Sequence, residues 1–214
     1  MWKSYLTRPN VASAAAEFLG TMVLVMVALV MINATGVSYF VGTSLAATLA
    51  IVVMLFGAIS GAHVNPAITF GLWTARRIST LKGVAYIIAQ FLGGLAAWRL
   101  YEYFTGHHVT TKVVAFSTPV FIAEAVGAFI LAMAVAAALG RAYELLHSAL
   151  TIGGAFFIGI VIAATASAGL LNPAVALGLK SYNIAYMLGP VVGAVLGANI
   201  FLMLFGPAAR AKKR

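Results

Sequence analysis

Asn-Pro-Ala occurs twice in this sequence, as Asn65-Pro66-Ala67 and Asn172-Pro173-Ala174, and each copy is written like the start of a helix. Asparagine is a favoured N-cap and proline a favoured first helical residue. A helix start leaves backbone N–H groups free and carries roughly half a positive charge. Two such starts facing each other would oppose the passage of cations. The two asparagine amides could donate hydrogen bonds to the oxygen of a water or alcohol held between them. An oxygen fixed by two donors breaks a hydrogen-bonded proton wire. This is chemistry of selection during passage, as in pores that select by width, lining donors and half-helix dipoles.

Other residues with chemical potential are few. The chain contains only four acidic residues and no cysteine. Glu17 and Glu124 fall inside long apolar runs, where a charge is costly and marks function or buried hydrogen bonding. They could form an ion path, or brace the loops ahead of the Asn-Pro-Ala segments. His63, two residues before Asn65, could sense pH at a pore or brace the same loop. Glu102 and Glu144 are expected in or near loops and solvated. His107 and His108 make too small a set for a metal site. No nucleophile–base pair, metal-ligand cluster or phosphate loop is present, so the sequence reads as neither an enzyme nor a cofactor protein.

What must position these residues is a membrane-embedded helix bundle. Of the 214 residues, 63% are hydrophobic and 8% charged, against roughly 25% charged in soluble domains. Runs of spanning length fall at 11–33, 39–59, 82–104, 118–140, 148–167 and 183–206. Two apolar pieces of half that length, 65–75 and 172–179, each begin with Asn-Pro-Ala. A half-length helix at membrane depth is tolerated only where protein or a water-filled cavity covers it. The first run is too long for a signal-peptide core and reads as a transmembrane helix.

The chain repeats itself. Asn65 and Asn172, Glu17 and Glu124, and Gly71 and Gly178 are each 107 residues apart, and Tyr86–Gly94 resembles Tyr186–Ala194 at an offset of 100. Two halves, about 1–107 and 108–214, therefore fill a single domain. Each holds three spans, so the second must enter from the opposite face, giving an inverted repeat. The fold class expected is an all-α membrane protein with six transmembrane helices and two re-entrant half-helices. Gly189, Gly193 and Gly197 recur every four residues, a spacing that lets helix backbones approach or permits a hinge. The net charge of +9 does not indicate nucleic acid. With both termini cytoplasmic, Lys3, Arg8, Arg76, Arg77, Lys82, Arg141, Arg210, Lys212, Lys213 and Arg214 lie inside, and Arg99, Lys112 and Lys180 outside. That bias obeys the positive-inside rule. The basic tail suits anionic lipid headgroups. Short loops and tails point to a prokaryotic inner membrane.

Over nearly its whole length the sequence resembles the major intrinsic protein family, the aquaporins and aquaglyceroporins. The resemblance is carried by Ser60-Gly61-Ala62-His63-Val64-Asn65-Pro66-Ala67-Ile68-Thr69-Phe70-Gly71, by Ala16-Glu17-Phe18-Leu19-Gly20-Thr21, by Ala89-Gln90-Phe91-Leu92-Gly93-Gly94 and by Gly189-Pro190. It implies a homotetramer with one pore per subunit, and a bracing role for Glu17 and Glu124. It also implies an outer constriction at four positions, which carry over to Leu45, Ile160, Gly169 and Val175.

Here the sequence departs from the family. Val175 stands where the family typically has arginine after the second motif, and Ile160 where water channels have histidine. An aliphatic ring compensates the desolvation of a solute poorly, so it would slow or gate water. It suits glycerol, ammonia or urea as well as water. The missing arginine also weakens cation rejection, which leaves a proton- or cation-leaky channel as an alternative. Lys180 could supply a substitute charge, as lysine does in glycerol-conducting members, although Ala176 and Leu179 replace that subgroup's aspartate and proline. A secondary transporter would need ionisable coupling groups, and only Glu17 and Glu124 qualify.

Overall fold

The computed structural model describes residues 7–111 and 115–206. Those residues form eight helices: α1 (Arg8–Ala34), α2 (Ser38–Ser60), α3 (Pro66–Thr74), α4 (Thr80–Thr105), α5 (Thr118–Gly140), α6 (Leu145–Ala163), α7 (Pro173–Gly178) and α8 (Ile184–Phe205). All but α3 and α7 are long and apolar enough to span a bilayer. No strand occurs among the described residues. Lys3, Lys112 and the basic tail from Arg210 to Arg214 lie outside the described residues.

Some boundaries differ from those expected. The fifth span ends at Ala163 rather than 167, because Thr165 to Ser167 bond back as turns onto Ile162 and Ala163. The fourth helix continues to Thr105 and carries Glu102 within it. Glu102 is not solvated: its side chain is 9% exposed and accepts hydrogen bonds from Arg99 and the Val109 amide.

Small residues draw the helices together. On α8, a Cβ at Gly189 would lie 2.8 Å from the Phe121 carbonyl oxygen of α5. One at Gly193 would collide with the Ala125 carbonyl and one at Gly197 with that of Phe129. The four-residue row is a seam between α5 and α8, and its spacing matches Phe121, Ala125 and Phe129 opposite.

The half-helices exchange partners between the halves. α3 packs on α8, where a Cβ at Gly71 would stand 2.6 Å from the Ala194 carbonyl oxygen. α7 packs on α4, where a Cβ at Gly94 would stand 2.7 Å from the Ala174 carbonyl oxygen. Each short helix is thus sheltered by the last span of the other half, which satisfies the requirement for burying irregular backbone at membrane depth.

Candidate functional site: a path between the half-helices

The segments leading into α3 and α7 are irregular in matched ways. Ala62 and Val64 have φ of 47° and 40°, and their counterparts Gly169 and Leu171 have 63° and 52°. Left-handed backbone is unfavourable for a non-glycine residue, and most of all for β-branched Val64. Such conformations persist where surrounding bonds over-determine them.

The buried carboxylates supply those bonds. Glu17 accepts from Ser60 Oγ at 2.6 Å, the His63 amide at 3.0 Å, the Val64 amide at 2.7 Å and Gln90 Nε2 at 2.7 Å. Glu124 accepts from Ser167 Oγ at 2.8 Å, the Leu170 amide at 2.9 Å and the Leu171 amide at 2.6 Å. Two tyrosines complete the pattern. Tyr86 donates to the Ser60 carbonyl at 2.8 Å, and the Ala168 amide donates to Tyr186 Oη at 3.1 Å.

The halves then diverge. His63 Nδ1 lies 3.1 Å from Thr69 Oγ1, to which Gln90 Nε2 also donates at 2.9 Å. The corresponding second-half positions are Leu170, Ala176 and Pro190. The additional His63–Thr69–Gln90 network therefore lies behind the first loop only.

Asn65 and Asn172 each do two things. Each side-chain oxygen caps its own helix, accepting from the Ala67 or Ala174 amide at 2.9 Å. Each amide nitrogen donates across to the other half, Asn65 to the Leu171 carbonyl and Asn172 to the Val64 carbonyl, both at 2.9 Å. An amide nitrogen carries two hydrogens, and these bonds use one from each side chain.

Three cavities follow one another past this pair. The outer one, about 330 Å³, is lined by Ile32, Val41, Ile160, Ser167, Leu170 and Tyr186 among others. The central one, about 10 Å³, is lined by both asparagines with Leu24, Leu49, His63 and Phe156. That is about the volume needed for one water. The inner one, about 320 Å³, includes Val53, Val135, Ile152 and Tyr143. Val135 and Ile152 line both the central and the inner cavity, whereas no residue lines both the central and the outer.

Between the central and outer cavities stands an aliphatic layer. Val41, Leu45, Leu49 and Val53 form a four-residue stripe on α2, and Ile152, Phe156 and Ile160 form another on α6. Leu45 falls one turn below Val41 and one above Leu49, and is 2% exposed. A Cβ at Gly169 would lie 3.0 Å from the Ile160 carbonyl oxygen and 3.3 Å from its Cγ2. Val175, in α7, is fully buried and lines none of the three cavities. Lys180 is not a substitute charge on this path. Its ammonium lies 3.8 Å from Glu102 Oε1 and 4.2 Å from the Trp98 ring centre.

Sequence reasoning missed several residues of the site. Ser60 and Ser167 were visible as a pair 107 residues apart, and Tyr86 and Tyr186 as a pair within the aligned third spans. Val41, Leu49, Ile152 and Phe156 carried the signal of four-residue apolar spacing.

The family model for the major intrinsic protein matches residues 5–201 of the chain. The chain belongs to this family. Members of the major intrinsic protein family are passive membrane channels for water or small solutes, and this chain is such a channel and not an enzyme. It is 31% identical to aquaporin Z of Photorhabdus laumondii, over 89% of this chain and 96% of that protein. It is 30% identical to glycerol uptake facilitator protein-like 6 of Lactiplantibacillus plantarum, over 86% of this chain and 93% of that one. It is 31% identical to the probable aquaporin PIP2-7 of rice, over 92% of this chain and 80% of that protein. The fold matches that of the aquaglyceroporin from Plasmodium falciparum with a TM-score of 0.71 at 20% identity, covering 91% of this chain and 94% of that one.

Proposed function

We propose that this channel conducts water and small neutral solutes such as glycerol, ammonia or urea along the three aligned cavities. The observation that carries this reading is the pair Asn65 and Asn172 together in the middle cavity, with one amide hydrogen of each left for a passing oxygen. In this reading Asn65-Pro66-Ala67 and Asn172-Pro173-Ala174 form the central filter. Leu45, Ile160, Gly169 and Val175 form the outer constriction, with Glu17, Glu124 and His63 bracing the loops. The names of the relatives, aquaporins and a glycerol uptake facilitator, support both water and glycerol as cargo.

The assembly follows the same reading: a homotetramer of single-domain subunits, each built from inverted halves of about 1–107 and 108–214. It sits in a prokaryotic inner membrane with both termini cytoplasmic. Arg8, Arg76, Arg77, Lys82 and Arg141 fall on one side of this topology, Arg99 and Lys180 on the other.

A second reading, a proton- or cation-leaky channel, rests on one observation. Among the described residues, no lysine or arginine lines any of the three cavities. Purified protein in liposomes separates the readings. Shrinkage or swelling above the lipid background for water or one of these solutes, with an electrically silent bilayer, is the expected result. No flux of any of them would overturn the proposal. A voltage-driven current would establish the leak.

A further inference from the structure

We propose that the turn between α3 and α4 is a binding site for one anionic phospholipid, with an acyl chain in the adjoining cavity and the headgroup on Arg76, Arg77 and Lys82. The cavity, about 220 Å³, lies outside the three described above and is lined by Phe70, Trp73, Thr80, Gly83, Val84 and Ile87. Its walls are almost wholly apolar. The Trp73 indole donates to Thr80 Oγ1 at 3.0 Å, and the hydroxyl of Thr69, which also lines the cavity, is held by His63 and Gln90, so the polar groups of this wall are satisfied internally. What the cavity offers is a hydrocarbon-shaped space.

Depth places its mouth at headgroup level. α3 starts beside the paired asparagines and has nine residues, which advance about 14 Å along its axis. Half the hydrocarbon thickness of a bilayer is about 15 Å. Arg76 and Arg77 follow directly, in the turn that closes α3, and Lys82 lies in the first turn of α4.

The charge there is one-sided. Arg76 and Arg77 are exposed, and neither guanidinium has a hydrogen bond or ion pair among the described residues. The Lys82 ammonium lies 5.2 Å from the Tyr86 ring and has no hydrogen bond or ion pair among the described residues. The chain has no acidic residue between Glu17 and Glu102, and both of those are engaged elsewhere. Cations after a helix C-terminus also suit its dipole, but that accounts for neither the cavity beside them nor Lys82 at the other helix's start. The phosphate of an anionic headgroup gives these cations a shared partner, and juxtamembrane cations attract anionic lipid at about 1 kcal/mol each. The inference rests on membrane placement and is independent of the permeant.

Trp73 reports on the site directly. A variant with Trp73 as sole tryptophan (Trp2→Phe, Trp98→Phe) is reconstituted with lipids brominated on their acyl chains. Brominated phosphatidylglycerol should quench Trp73 at a surface fraction on the order of tenfold lower than brominated phosphatidylcholine. Arg76→Gln/Arg77→Gln/Lys82→Gln should erase that preference, and Arg77→Gln alone should reduce it. Gly83→Leu should weaken quenching by both lipids, because a Cβ at Gly83 meets nothing nearer than Ile78 Cγ2 at 3.9 Å and a leucine would fill the cavity. Equal quenching by the two lipids, or a preference that survives removal of the three charges, would overturn the proposal. So would undiminished quenching in Gly83→Leu.

Discussion

Asn65 and Asn172 hold each other's loops: each donates one amide hydrogen bond, at 2.9 Å, to the carbonyl of the residue preceding the other, Leu171 and Val64. The two halves are therefore tied together at the place where both helices begin. The same side chains cap those helices, so the central geometry depends on a small reciprocal set of bonds.

Replacing either asparagine removes a cap and a cross-loop bond together. A lost cap costs about 1 kcal/mol, and a buried carbonyl left unpaired adds roughly 1–3 kcal/mol. Asn65→Ala and Asn172→Ala should each lower the melting temperature in detergent. The double variant should lose less than the sum, because the two cross-loop bonds join the same pair of loops and breaking one already loosens the other. Strict additivity would show that the two cross-loop bonds act independently.

The carboxylates answer to a different test. Glu17 accepts from four donors and Glu124 from three. Glutamine at either position turns an N–H₂ group toward N–H donors, leaving one or more buried groups unpaired at roughly 1–3 kcal/mol each. Glu17→Gln should be the more destabilising of the two by thermal melting, and neither should alter the ionic current of reconstituted protein. A current that changes with either substitution would return these residues to the role of an ion path.

Glycine positions separate by what surrounds them. Gly193→Val should abolish folded protein in membranes, since its Cβ would collide with the Ala125 carbonyl. Gly83→Ala meets only Ile78 Cγ2, in ordinary contact at 3.9 Å, and should stabilise by up to about 1 kcal/mol through helix propensity. Expression yield and melting temperature of the pair check both signs.

Lys180 is committed to Glu102 and Trp98. Lys180→Gln should leave water and glycerol flux in liposomes unchanged. A change in glycerol selectivity would mean that this ammonium reaches the path after all.

The sequence was informative wherever chemistry was rare in an apolar chain. Glu17, Glu124 and the paired Asn-Pro-Ala segments were legible because polar residues at membrane depth are costly, and because each recurs 107 residues on. The spans were legible by length. The exchange of half-helices between halves was not, because it depends on which small residues meet: Gly71 with Ala194, and Gly94 with Ala174. Glu102 was misread as solvated, since a loop carboxylate and one drawn against Arg99 and the Val109 amide look alike in sequence. The same holds for Lys180, whose partners lie far away along the chain. Val41 and Phe156 carried only a four-residue apolar spacing, which a residue lining a path and one facing lipid share.

Ile160 is the most direct test of the path itself. It lines the outer cavity, abuts Gly169 and stands one turn above Phe156 of the central cavity. The measurement is stopped-flow light scattering on proteoliposomes, comparing osmotic water permeability per channel for the wild type and Ile160→Ala at matched protein content. If the aliphatic layer limits passage, Ile160→Ala conducts water faster than the wild type while the bilayer stays electrically silent. Equal permeability of the two, with both above the lipid background, would contradict a path limited at this layer.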